Sequence, residues 1–172
     1  MDRDREYVEY VSARLPALHR AAYLLCGDPH QADDIVSATT TALYRHWHRV
    51  READNVDAYV HRTLIRKYVD ERRMRWARVL LTDRVPERSD GHDGHVEERD
   101  SLRLALAQLT TAQRTVLVLR FFCDLPVGDV ARILRCSDGN VKSHTSRGLT
   151  MLRRILGVEP AVSAASELRR ST

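Results

Sequence analysis

The sequence predicts an all-α protein built as two small helical domains joined by a flexible acidic linker. Three observations carry that expectation. Apolar residues recur at steps of three and four through most of the 172 positions, the spacing of one helix face. The most strand-like stretch, "TVLVLRFF", has no partner strand anywhere in the chain and reads as buried helix. After Leu81 the composition changes. Thr82–Asp100 carries seven acidic residues against three arginines, contains Pro86, Gly91 and Gly94, and is almost bare of apolar side chains.

The elements follow in order. Val8, Val11, Leu15, Leu18, Ala22 and Leu25 form the first stripe, and Pro16 inside it predicts a kink or a restart near Leu15. In "CGDPHQADD", Gly27 ends that helix, Asp28 caps the next and Pro29 suits its first position. Asp33 and Asp34 lie in or just after the first turn, where negative charge complements the helix dipole. The second helix, Pro29 to about Val50, lines up Ala32, Ile35, Val36, Thr39, Leu43, Trp47 and Val50. Its weak point is the β-branched run Thr39-Thr40-Thr41. Asp54 or Asn55 then caps a third helix carrying Val56, Tyr59, Val60, Thr63, Leu64 and Tyr68.

Beyond the linker, Leu102, Leu106 and Leu109 open the second domain and "TVLVLRFF" continues it. Pro126 stands near the start of a short helix with Val127, Val130, Ala131 and Leu134 on one face. The last helix, within "RCSDGNVKSHTSRGLTMLRR", takes Ser137 as N-cap and ends at Gly157. The boundaries are thus 4–81 and 98–157 for the domains, 82–97 for the linker and 158–172 for a flexible tail.

Charge and composition narrow the function. The net charge of +4 is small, so its distribution matters more than its sum. Lys67 and Lys142 are the only lysines; arginine suits bidentate phosphate and guanine contacts, although a GC-rich genome produces the same bias. No run of about 18 apolar residues and no apolar signal core at the N-terminus points to a cytoplasmic protein without a membrane partner. Cys26, Cys123 and Cys136 are odd in number and lack C-x-x-C spacing, which predicts small buried residues rather than disulfides or a metal site. His92, Asp93 and His95 in "HDGH" have too few companions for a metal centre. Glycine-rich phosphate loops and nucleophile elbows are absent, so no catalytic residue, cofactor or metal is expected.

Two short helices joined by "RCS" have the layout of a helix-turn-helix, whose second member enters the DNA major groove. Val141, Thr145, Gly148, Leu149 and Leu152 give that helix a thin packing face. Asn140, Lys142, Ser143, Ser146, Arg147, Arg153 and Arg154 lie opposite, with amide, hydroxyl and cationic groups able to read base edges and grip phosphates. A second basic cluster spans Arg62 to Arg78, seven cations against Asp70 and Glu71, with Tyr68 and Trp76 among them. Cations interleaved with rings suit melted DNA, and equally an exposed arginine-rich helix.

Taken together, "PALHRAAYLLCGDPHQADDIV", "DAYVHRTLIRKYVDERRMRW" and "LTTAQRTVLVLRFFCDLPVGDVARILRCSDGNVKSHTSRGLTMLR" resemble, in order, the blocks of an extracytoplasmic-function (group 4) sigma factor of the sigma-70 family, in its actinobacterial SigE-like group. The resemblance implies a σ2 helical bundle at 4–81 and a σ4 helix-turn-helix domain at 98–157, binding core RNA polymerase and promoter DNA. It implies that the segment Ala32–Trp47 docks on the β′ clamp helices, with Asp33, Asp34, Ile35, Ser37, Ala38 and Leu43 as contacts, and that σ4 sits on the β flap. It further implies that the loop Arg49–Asp57 and the helix after it capture a flipped base of the −10 element, with Arg51, Asn55, Arg62, Arg66, Lys67 and Arg73 as DNA contacts. In σ4, Lys142, Ser143 and Arg147 match −35 contacts, beside Asn140 and Ser146. The acidic linker would thread the polymerase cleft, and an anti-sigma factor is a further candidate partner. Ser37-Ala38 stand where the family usually has Gln-Glu, and Ile65-Arg66 where it often has Val-Asn. Asp138 and His144 also depart from the usual recognition helix, so the −35 sequence does not carry over.

The alternative from another class is a LuxR-like helix-turn-helix regulator that binds palindromes as a dimer without joining polymerase. The Arg62–Arg78 cluster favours the sigma reading, because a duplex-only binder has no use for a melted-strand surface.

Overall fold

The computed structural model describes residues 2–82 and 97–158, with side chains over 3–74 and 101–158. The helices are α1 (Asp2–Cys26), α2 (Pro29–Arg45), α3 (Trp47–Val50), α4 (Val56–Thr82), α5 (Glu97–Ala107), α6 (Thr111–Leu117), α7 (Val127–Leu134) and α8 (Asp138–Leu156). The backbone of "TVLVLRFF" is helical as expected, and α6 ends in a π-helical turn, Val118–Phe122. Most of the expected linker and tail, and the side chains of Trp76, His92, Asp93 and His95, lie outside the described residues.

Local chemistry sets the helix ends. Gly27 turns at φ 76°, and the Asp28 carboxylate accepts the Gln31 N–H at 2.8 Å ahead of Pro29. Asn55 caps α4 by accepting the Ala58 N–H at 2.9 Å, and Ser137 caps α8 by accepting the Asn140 N–H at 3.2 Å. Thr110 and Gln113 form a reciprocal capping box on α6 that sequence inspection did not single out. In the α7–α8 turn Arg135 adopts a left-handed φ of 54°, where glycine is the usual residue.

Several expectations are corrected. Pro16 does not restart α1, which runs through it; Pro16 and Ser12, whose carbonyl loses its partner, are both exposed, so water can satisfy that oxygen. The second helix breaks at His46, leaving Trp47–Val50 as a separate turn. Val8 is 57% exposed, because Tyr7 and Tyr10 take the inward face there, against Trp47. The Thr39–Thr41 run stays helical: Thr39 Oγ1 donates to the Ile35 carbonyl at 2.7 Å, so its buried hydroxyl is satisfied. The three cysteines are half-buried rather than buried, and burial pushes the Cys123 thiol up to about 12.

The two halves share one apolar core. Leu18, Leu25, Ile35, Leu43, Trp47 and Leu64 continue into Leu106, Leu117, Leu119, Val130 and Val141. Polar clasps cross the seam. Arg114 donates to the carbonyls of Leu106 (3.0 Å), Ala107 (3.2 Å), Leu109 (3.3 Å) and, on α1, Leu25 (2.9 Å). A cation is well placed at these helix ends, where carbonyls lack intrahelical donors. Arg72 Nη1 donates to Thr111 Oγ1 at 2.6 Å, and Asn55 Nδ2 to Asp129 Oδ2 at 3.2 Å.

Gly148 lets α8 approach α6. A Cβ there would stand 3.1 Å from Leu117 Cδ1, 3.2 Å from its Cγ and 3.4 Å from Gln113 Cβ. Gly148→Val is therefore expected to destabilise the fold by about 1–3 kcal/mol through overpacking, read from a thermal melt followed by circular dichroism. An unchanged melting temperature would mean that the α6–α8 contact yields freely.

Candidate nucleic-acid interface

The thin inner face of α8 is held as expected. Val141 and Gly148 are buried, and Thr145, Leu149 and Leu152 are half-buried. Its outer face is solvent-exposed at Asn140, Lys142, Ser146, Arg147, Arg153 and Arg154, with Ser143 half-buried beside them. The exposed arc divides. Lys142, Ser146 and Arg153 line a cleft of about 360 Å³ together with Arg120 from the π-helical turn. Asn140, with His144, borders the opposite, apolar cleft toward α4. Arg120 is a residue that sequence reasoning missed: a lone cation in an apolar run, its Nη1 donating to the Leu125 carbonyl at 2.6 Å. That isolated charge was the available signal.

In the first half, Arg51 and Asn55 are exposed at the two ends of the loop between α3 and α4. Arg51 Nη1 pairs with Glu6 Oε2 at 3.2 Å, and the Asn55 amide is used twice, capping α4 and donating to Asp129. Asp129 is itself buried, with Arg132 on its other carboxylate oxygen. Arg62 and Arg66 are exposed along α4 and line a cleft of about 570 Å³ closed on its far side by Ile133, Leu134 and Arg135. Arg73 stands two turns beyond Arg66, bordering the cleft shared with Asn140 and His144.

Two members of the basic cluster are placed differently from the expectation. Lys67 faces away from Arg62 and Arg66, bordering a groove with Asp34, Ser37, Ala38, Thr41, Ala42, Arg45 and His46. Tyr68 is 3% exposed, so its ring is not a free stacking platform: it continues the Val60–Leu64 stripe and is covered by the second half. Among the α2 residues, Asp33, Asp34, Ser37 and Ala38 are exposed, with Asp33 Oδ1 3.2 Å from His19 Nδ1. Ile35 and Leu43 are buried at 2% and 0% and cannot present side chains to a partner; at i and i+8 around Thr39 they belong to the core stripe.

The loop between α3 and α4 is braced from α1. Asp57 Oδ1 accepts both Tyr10 Oη and Arg14 Nε at 2.9 Å, and the Arg14 guanidinium lies 3.8 Å from the Tyr10 ring centroid. Burial works to raise the Asp57 carboxyl, but the hydrogen bonds and charge of Arg14 and Tyr10 outweigh it and hold the group below its ordinary value. Burial, then Asp57, push the Tyr10 phenol up.

Two helical halves, one with an exposed polar recognition helix and one with a capped loop feeding an arginine-lined helix, match known families in the same order. Residues 10–78 match sigma-70 region 2, and residues 99–152 match sigma-70 region 4. The RNA polymerase sigma-E factor of Streptomyces coelicolor is 33% identical over 150 residues, covering 86% of this chain and 84% of that one. The chain belongs to the extracytoplasmic-function sigma factors of the sigma-70 family. SigV of Bacillus subtilis is 26% identical, covering 78% of this sigma factor and 81% of its own length. The fold is that of a sigma factor, RpoE, solved with the anti-sigma factor NepR from Bartonella quintana: TM-score 0.82 at 24% identity, covering 91% of this chain and 99% of that one. CnrH, solved with the cytosolic domain of CnrY, gives a TM-score of 0.63 at 20% identity, covering 91% of each chain.

As a sigma factor, the protein directs RNA polymerase to initiate transcription at specific promoters, and the family is non-catalytic. The region 2 match replaces the LuxR-like alternative. Among the described residues, no helix is long and apolar enough to cross a membrane.

Proposed function

We propose that the two halves divide promoter recognition. In this reading α8 reads the −35 element through Ser143, Ser146 and Arg147, with Asn140 at its edge, while Lys142, Arg120 and Arg153 grip the phosphates beside it. The α3–α4 loop and α4 read and open the −10 element through Arg51, Asn55, Arg62, Arg66 and Arg73. Lys67, turned toward α2, fits the polymerase side better than the DNA side. The small exposed face Ser37, Ala38 and Thr41, with half-buried Ala42 beside it and bordered by Asp33 and Asp34, docks on the β′ clamp helices, and region 4 docks on the β flap. The observation that carries the reading is the two-faced character of α8: an inner face tight enough to exclude a Cβ at Gly148, an outer face of cations, hydroxyls and an amide.

The seam adds a requirement. Asn55 is bonded to Asp129, and Arg62 and Arg66 face Ile133 and Leu134, so α7 lies over the −10-reading face. Base capture therefore needs region 4 to part from α4, and binding to polymerase supplies that separation. One related fold, RpoE, was solved with an anti-sigma factor, and the other, CnrH, with the cytosolic domain of CnrY. An anti-sigma helix is the partner that suits the apolar cleft of about 700 Å³ between α4 and region 4, lined by Ile65, Tyr68, Val69, Val116 and Leu134.

The test is run-off transcription with core polymerase over a promoter library, with and without the protein. Discrete promoter-specific transcripts are expected only when it is present. A folded protein that yields none overturns the division of roles proposed here.

A further inference from the structure

Glu6, Tyr10 and Arg14 follow one another at i, i+4 and i+8, a single stripe along α1. All three reach the α3–α4 connection. Glu6 holds Arg51 at the entrance of the loop, at 3.2 Å, and Tyr10 and Arg14 hold Asp57 at its exit, each at 2.9 Å. Between these anchors lie Glu52, Ala53, Asp54, Asn55 and Val56, so both ends of a short loop are fixed to the same helix. The Tyr10 ring is seated against Trp47, with centroids 5.2 Å apart. The Arg14 cation over that ring is thus held in place before it meets Asp57.

We infer that Tyr10 and Arg14 are positioning residues for −10 recognition: through Asp57 they set the geometry of the base-capturing loop without touching DNA themselves. The inference rests on the proposed −10 role of that loop. Stability alone is a poor reason for the arrangement. The Arg14 and Asp57 side chains are 39% and 53% exposed, and an ion pair so open to solvent adds little to folding. What the contacts do is restrict direction. Asp57 stands in the first turn of α4, two residues after the cap Asn55, so turning Asp57 turns the amide that would read the base. The chemistry also argues against a phosphate contact. Asp57 already neutralises Arg14, and the Tyr10 hydroxyl is committed as a donor. The contacts among Tyr10, Arg14 and Asp57 lie within region 2, so they survive any parting of region 4 from α4.

The test uses the full chain assembled with core RNA polymerase, binding a single-stranded oligonucleotide that carries the −10 element of a promoter found in the run-off library. The Tyr10→Phe/Arg14→Gln double variant is expected to bind about tenfold more weakly and to lose discrimination against a substituted −10 base. Its thermal melt and its affinity for core polymerase should match the parent. Arg14→Lys, which keeps the charge, should restore most of the binding. The salt dependence separates positioning from contact: its slope should be unchanged, whereas a lost phosphate contact on a single strand reduces it by about 0.7. A reduced slope, or undiminished binding by the double variant, overturns the inference. Should the double variant melt early, Tyr10→Phe alone, which keeps the ring against Trp47, carries the same comparison. Asn55→Ser retains the helix cap and removes the amide. If it too binds and discriminates normally, the −10 reading of the loop falls, not merely the role of its brace.

Discussion

Trp47→Ala is expected to cost about 3–5 kcal/mol of folding stability, the range for removing a large aromatic from a core. Trp47 is 2% exposed and lies where α2 breaks into α3. Tyr7 and Tyr10 pack edge-on or tilted against it, with centroids 5.5 and 5.2 Å away. A domain of this size has total stability of about 5–15 kcal/mol, so the loss is a large part of it. The indole N–H is buried without a partner among the described residues. Trp47→Phe removes that donor and keeps most of the apolar volume, so it should cost much less than alanine. Chemical denaturation midpoints at constant m-value check the ordering. Equal losses for the two variants would show that packing volume is not what Trp47 contributes.

Arg147→Ala should carry the largest effect on promoter choice. Arg147 is exposed on the outer face of α8, one turn beyond Ser143, with no partner that would hold it to the protein in the described hydrogen bonds and ion pairs. A base-reading arginine contributes about 1–3 kcal/mol of discrimination at its base, so the variant should initiate at −35 mutants nearly as well as at the parent promoter. Lys142→Ala is the contrast. Lys142 lines the cleft with Arg120 and Arg153, three cations to which the proposed reading gives the phosphates. Its loss should weaken binding on all promoters alike and lower the salt slope by about one. Competitive transcription from paired −35 variants at two salt concentrations separates the two behaviours. Uniform loss from Arg147→Ala would reassign it to the backbone.

Much of the local structure was legible. Asp28, Asn55, Ser137 and Gly157 mark helix ends because caps depend on residues within one turn, and such signals need no knowledge of the fold. The polar outer face of α8 was legible for the same reason: seven polar positions in an amphipathic register leave only a narrow inner face. Side-chain placement across elements was less so. Ile35 and Leu43 were grouped with surface contacts by their neighbours in a motif, although their own spacing puts them in the core. Tyr68 was grouped with cations by proximity in sequence, while at i+4 from Leu64 it turns inward. In both cases helical period, followed strictly, outranked the motif.

The sequence by itself determined most of the helices, several of their caps, the two-region order and the polar outer face of α8, because each depends on interactions a few residues apart. Only the tertiary structure decided which charged groups meet. Asn55 reaches Asp129, Arg114 gathers carbonyls from α1 and α5, and Glu6, Tyr10 and Arg14 grip both ends of the loop before α4. The reason is physical. Periodicity states which side of a helix leaves water, but not which helix it meets or at what height. A hydrogen bond needs donor and acceptor within about 3 Å, a condition set by the packing of whole helices rather than by spacing along any one of them.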